Sequence, residues 1–198
     1  MIQFENVHLS FDTEVIFKKL SFYIETGKHA CIAGPSGSGK SSALKIIQGY
    51  LVPGQGKVLV KELSLNKKKV KEIRTKIAYV PQNINLPVAN GKELASLIGY
   101  STNFEVIENY LGQLGLPNDM FLRSFDQMSG GQKQRIIIAI CLSLKREILL
   151  LDEPTASLDD KSINRLINVI NDLTNVTVVS ASHNPKWIKA MDQVIYLY

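Results

Sequence analysis

Eight residues, Gly34, Pro35, Ser36, Gly37, Ser38, Gly39, Lys40 and Ser41, constrain this chain more than any others, because they fit the pattern G-x-x-x-x-G-K-[ST]. The short apolar run His29–Ala33 leads into them. A helical pattern follows from Lys40 to Tyr50, with Ala43, Leu44, Ile46 and Ile47 on one face. A strand, a glycine-rich turn and a helix in that order make a phosphate cradle. Glycines let backbone N–H groups converge on phosphate oxygens at the positive end of the helix. Lys40 has the reach for β- and γ-phosphates, and the Ser41 hydroxyl suits Mg2+. The strand before and the helix after argue against a merely flexible turn. Alone, the loop implies a nucleoside triphosphate and nothing finer.

The rest of the text alternates. Ile2–Val7 and Leu20–Ile24 read as N-terminal strands, with a turn at Glu25–Gly27. Pro53–Gly56 is a turn signal before a strand at Lys57–Val60, and Ile77–Val80 reads as a core strand stopped by Pro81. From Gln82 to Gln127 the character changes: Asn, Pro and Gly punctuate helical patterns near Glu93–Ile98 and Phe104–Leu114. Gly130–Leu144 is an apolar helix with Ser129 placed to cap it. Short β-rich runs follow at Ile148–Leu151, Val176–Ser180 and Val194–Leu197. Strands alternating with helices imply an α/β fold with a mainly parallel central sheet. An N-terminal antiparallel β subdomain and an inserted helical subdomain at about 83–130 complete the expected single domain, 1–198.

Composition narrows the class. At 198 residues, 45% hydrophobic and 21% charged, the chain has the makings of one globular domain with a real core. Its net charge of +5 permits contact with anionic lipid or nucleic acid without requiring it, and no nucleic acid partner is expected. The basic run Lys67–Lys76 reads as a solvated surface segment, with anionic headgroups as the sharper alternative. Cys31 and Cys141 sit among apolar neighbours and read as buried reduced thiols of a cytosolic protein rather than a disulfide or metal site. Met1–Glu5 lacks the basic and apolar regions of a signal peptide. The longest apolar run, Ile136–Leu144, is far short of the roughly 20 residues a membrane-spanning helix needs.

Two further motifs turn the phosphate loop into a specific machine. The apolar strand Ile148–Leu151 ends in Asp152 and Glu153, at the carboxyl edge where ligands bind in such sheets. Asp152 suits Mg2+ through water, and Glu153 suits a general base on the attacking water. A paired acid at a strand end is otherwise often a solvated turn. Before that strand, Met128 precedes Ser129, Gly130, Gly131 and Gln132, which open a helix and again offer N–H donors to an anion. A capped helix with a flexible start satisfies the same letters.

In this combination and order the chain resembles the ATP-binding-cassette (ABC) ATPases, the nucleotide-hydrolysing subunits of ABC transporters, over nearly its whole length. The resemblance implies a head-to-tail dimer in which the Ser129–Gln132 signature of one protomer closes on the γ-phosphate of ATP held by the other. It implies that Gln82 senses Mg2+ and the attacking water and contacts a membrane partner. It also places Asp159, in Ser157-Leu158-Asp159, in a loop communicating across the dimer, and His183 at the γ-phosphate. Ser42 closes the phosphate loop where Thr is common. Phe11 falls where the family stacks an aromatic on adenine, though core packing explains an aromatic there equally well.

Met128 for the usual Leu and Asn184 for the frequent Asp are departures that remove no catalytic group. Ending at Tyr198 suggests that a regulatory C-terminal domain is absent, and the segment Phe121–Gln127 favours a stand-alone subunit over a fused exporter.

The expected function is therefore Mg-ATP binding and hydrolysis on the cytoplasmic face of the cell membrane. It powers a separately encoded membrane-spanning permease through a nucleotide-sandwiched pair of cassettes. An alternative within the family is a soluble assembly ATPase or a mechanotransmitting subunit that moves no solute. Outside it, a small-molecule P-loop kinase leaves Ser129–Gln132 and His183 unexplained, and a scaffold with negligible turnover leaves Glu153 and His183 unexplained.

Overall fold

A computed structural model describes residues 1–84, 87–98 and 104–198. Two sheets carry it. The first is antiparallel, in the order β2-β1-β4-β5, built from β1 (Ile2–Phe11), β2 (Glu14–Ile24), β4 (Gln55–Val60) and β5 (Leu63–Ser64). The second is parallel throughout, in the order β6-β7-β8-β3-β9. Its strands are β6 (Ile77–Val80), β7 (Ile148–Asp152), β8 (Thr177–Ser182), β3 (His29–Ala33) and β9 (Gln193–Tyr196).

Buried on both faces, parallel strands read as unbroken apolar runs, and their alternation appears only in what each face touches. Ala30, Ile32, Ile148, Leu150, Val179 and Ala181 join one core with β1, β4 and Ala43, Leu44, Ile46 and Ile47 of α1 (Lys40–Ile47). Cys31, Ala33, Leu149, Leu151 and Val178 join the other core. That second core takes in Ile136–Leu142 of α5 (Gly130–Ser143) and Leu166, Val169 and Ile170 of α6 (Asp160–Asn171). Trp187, on α7 (Pro185–Lys189), is fully buried there, and its indole N–H donates to Ser180 Oγ at 2.8 Å. Both cysteines are free and buried, and burial pushes the Cys31 thiol up to about 11 and Cys141 to about 12.

Most expected elements are present, and the differences have physical causes. β1 and β2 are longer than their alternation suggests. A hairpin joins Ser10 to Val15 and Phe11 to Glu14 around Asp12, which takes a left-handed φ of 47°. Irregular register between Val7 and Ser10 hides that pairing from a period-two reading. The basic run contains a short helix, α2 (Val70–Thr75), anchored by one buried residue, Ile73. Its Arg74 donates to the Gln48 and Gly49 carbonyls and lies 4.2 Å above the Tyr50 ring.

Between β6 and α5 lie α3 (Gly91–Leu97), α4 (Phe104–Gln113) and two 3-10 turns, Asn118–Phe121 and Phe125–Gln127. The helical subdomain expected at 83–130 covers these, and its residues 85–86 and 99–103 lie outside the described ones.

Candidate functional site

The carboxyl ends of β3, β6, β7 and β8 point the same way, because the sheet is parallel. Each feeds a loop to one place. β3 delivers the phosphate loop, β6 delivers Gln82 through Pro81, β7 delivers Asp152 and Glu153, and β8 delivers His183. A cavity of about 230 Å³ is lined by Ser36, Gly37, Gly39, Lys40, Ser41, Ser42, Gln82 and Glu153. A larger cleft of about 410 Å³, among Ala78, Lys145, Glu147 and Asp172, does not gather this chemistry. That larger cleft lies by the starts of β7 and β8, away from the phosphate loop.

The phosphate loop is held open by its glycines. Gly37 and Gly39 sit at φ 84° and 91°, in the left-handed region. A Cβ on Gly39 would stand 2.5 Å from Ile16 Cγ2 and 2.7 Å from Phe17 Cε1, so β2 braces the loop from outside. Lys40 is buried and donates to the Gly34 and Pro35 carbonyls at 3.0 and 2.8 Å, which folds the loop around its ammonium group. Its Nζ stands 3.7 Å from Glu153 Oε1.

The two acids have separate surroundings. Asp152 is buried and receives hydroxyl donors on both oxygens: Ser41 Oγ on Oδ1 at 2.8 Å and Tyr79 Oη on Oδ2 at 3.2 Å. Burial raises its pKa above the ordinary carboxylate value, and the two hydroxyls pull against that rise. The Tyr79 phenol is pushed up as well, by burial first and then by the Asp152 charge. Glu153 sits at φ 47°, with Oε1 3.0 Å from His183 Nδ1. Its Oε2 is buried with no hydrogen-bond partner among the described residues. A carboxylate oxygen kept from water yet left without a donor is ready to accept one.

Ser41 and Asp152 offer hard oxygen donors side by side. Among the described residues no group of three or more His, Cys, Asp and Glu forms a cage. That fits Mg2+, which takes few protein ligands and completes its shell with water and phosphate oxygens.

Other expected site residues lie apart from the cavity. Phe11 ends β1, is 44% exposed, and does not line it. Ser129 caps α5 in a closed capping box, accepting from the Gln132 N–H while Gln132 Oε1 accepts from the Ser129 N–H. Gly130 and Gly131 rest on the loop after Glu153, where a Cβ on Gly131 would overlap the Ser157 carbonyl oxygen. Asp159 caps α6, accepting from the Ser162 N–H at 2.7 Å. The signature thus stacks on the Ser157–Asp159 loop of its own chain and leaves the cavity beside Lys40 to other residues.

Two contacts escape the sequence reading: Tyr79 to Asp152, and buried Gln134 of α5 to the Glu153 carbonyl at 3.1 Å. The one signal for Gln134 is a polar residue in an apolar helix. For Tyr79 the signal is its place in β6, whose pairing with β7 sets Tyr79 opposite Leu150.

Comparison with known proteins agrees with this geometry. The family model described as ABC transporter matches residues 17–156. The energy-coupling factor transporter ATP-binding protein EcfA1 of Staphylococcus epidermidis is 31% identical, covering 100% of this chain and 78% of that protein. The L-cystine import ATP-binding protein TcyC of Bacillus subtilis is 33% identical, covering 100% of this chain and 86% of its own length. Among solved structures, a dimeric ATP-binding cassette in a post-hydrolysis state bound to ADP and Pi superposes with a TM-score of 0.84. It is 27% identical over 100% of this chain and 94% of that one. A phosphate loop braced by an antiparallel sheet, acids at the end of another strand of the same parallel sheet and a signature helix facing elsewhere are what a cassette needs, and this chain belongs to the ABC transporter family as one of its ATPases.

Proposed function

We propose that this chain is the ATP-hydrolysing subunit of a transporter, working as a pair of cassettes beneath a separately encoded membrane permease, with Mg2+ as the metal. The supporting observation is convergence: phosphate loop, Gln82 and Glu153 line one cavity, with Asp152 bonded to Ser41 behind it. The relatives' names, transporter ATP-binding proteins, point the same way. No described helix is long and apolar enough to cross a membrane. In this reading the permease is another chain, and this one works on its cytoplasmic face. Residues 1–198 form one nucleotide-binding domain in this reading, with 83–130 as its helical subdomain.

Each residue has a physical task. Lys40 exchanges the Gly34 and Pro35 carbonyls for phosphate oxygens, while backbone N–H groups of Gly37 and Gly39 to Ser42 surround the phosphate chain. Ser41, Asp152 and Gln82 would hold Mg2+, which when bound would neutralise phosphate charge. Glu153 accepts the proton of the attacking water as its oxygen bonds to the γ-phosphorus and the bond to ADP breaks. His183, 3.0 Å from Glu153 Oε1, fixes that carboxylate and reaches the γ-phosphate. Ser129, Gly130, Gly131 and Gln132 of the second protomer close the site, Asp159 reports across the pair, and Phe11 covers the adenine.

Replacing Glu153→Gln tests the reading. General-base removal costs about 10²- to 10⁴-fold in turnover, while ATP binding persists and an ATP-bound dimer accumulates on size exclusion. Turnover at the parental rate removes Glu153 from the base role. Capture of that variant with ATP from solubilised membranes should recover a multi-span protein, and recovery of soluble partners alone would move the assignment to an assembly ATPase.

A further inference from the structure

Gln134 has no part in the roles above, yet it is among the most buried polar side chains of the molecule, 2% exposed. It lies on α5, just beyond the signature, where, past Arg135, the residues Ile136 to Leu142 are apolar and buried. Its Nε2 donates to the Glu153 carbonyl at 3.1 Å, and its Oε1 is buried with no partner among the described residues. An amide buried with half its capacity unused costs free energy that an apolar side chain would not. The contact it does make therefore calls for a reason.

The partner supplies one. Glu153 holds φ 47°, a conformation that non-glycine residues adopt only where surroundings impose it. Its peptide is pinned on both sides. The N–H donates to the Ala181 carbonyl at 2.9 Å, and the carbonyl accepts from Ala156 N–H at 3.2 Å as well as from Gln134. The Ala156 bond is local to the turn. Among the described residues, Gln134 alone reaches the carbonyl from a different element, the helix whose first residues present the signature.

We infer that Gln134 is a positioning residue for hydrolysis, fixing the Glu153 backbone from the signature helix so that the seating of that helix on a second protomer is felt at the base of its own chain. This rests on Glu153 being the base. Gln134→Met tests it, because Met keeps the volume, removes the orphaned Oε1 and leaves the Glu153 carbonyl bonded to Ala156. The full-length protein is read for kcat, KM for ATP and Tm, beside Glu153→Gln and the double variant. Expected are a fall in kcat of about tenfold, an unchanged KM and Tm, and no further loss when the change is added to Glu153→Gln.

Parental kcat overturns the inference, as does a loss of kcat that tracks a fall in Tm. Gln134→Leu, scored the same way, covers poor packing of the methionine. If Glu153→Gln itself turns over normally, the base assignment fails and the inference falls with it. If Glu153→Gln is inactive and Gln134→Met is normal, only the inference fails.

Discussion

Two helices in this molecule start at sequences expected to meet an anion, and the two starts are finished in opposite ways. α1 begins after Gly39 at φ 91° with no side-chain cap, so its first amides face the cavity uncommitted. α5 begins after Ser129 with both arms of a capping box closed, so the Ser129 and Gln132 amides already have partners. An uncapped start leaves its first amides free to meet an anion. A capped start is stable alone and has only the Gly130 and Gly131 amides and the Ser129 hydroxyl hydrogen left to offer. The first suits binding by one chain, and the second suits a late contact made when another chain brings its nucleotide.

Three substitutions probe that contrast, from the largest effect to the smallest. Gly39→Ala puts a side chain at a left-handed φ and against Ile16 and Phe17. The expected cost is about 2–4 kcal/mol of stability by denaturant unfolding, with ATP affinity lost in a fluorescent-nucleotide titration. Retained affinity would mean that the open start is not where phosphate binds.

Gly131→Ala forces the Ser157 carbonyl to move, at a cost of about 1–3 kcal/mol. The monomer should keep its ATP affinity while phosphate release collapses. Equal damage to both would erase the distinction between the two starts.

Ser129→Ala removes one arm of the capping box, worth about 1 kcal/mol. It should lower Tm by a few degrees and weaken the ATP-driven dimer without touching monomer binding. A dimer of parental strength would confine Ser129 to capping its helix.

The parts of the molecule that sequence discloses are those whose order along the chain is also their meaning. Gly34–Ser41 carries its flanking strand and helix with it, and Ser129 stands where the helix from Gly130 needs a cap. The β7 run ending in Asp152 and Glu153 announces a buried strand and its functional edge together. What stays hidden depends on neighbours brought by folding. The hairpin around Asp12 is masked by a shifting register, and Leu63–Ser64 is too short to have a period. Tyr79 matters because β6 lies beside β7, and Gln134 because α5 passes Glu153. Phe11 remains outside the cavity lining, as an exposed residue at a strand end.

Trp187 is the chain's single tryptophan, it is sealed from solvent, and it rides on the helix that starts just past His183. Its indole is tethered to Ser180 on the strand that leads into that histidine. The protein therefore comes with its own optical gauge. Emission from one indole, excited without any label, comes from the element next to His183, and a change in its colour or lifetime on adding ATP would show in real time that nucleotide is felt there.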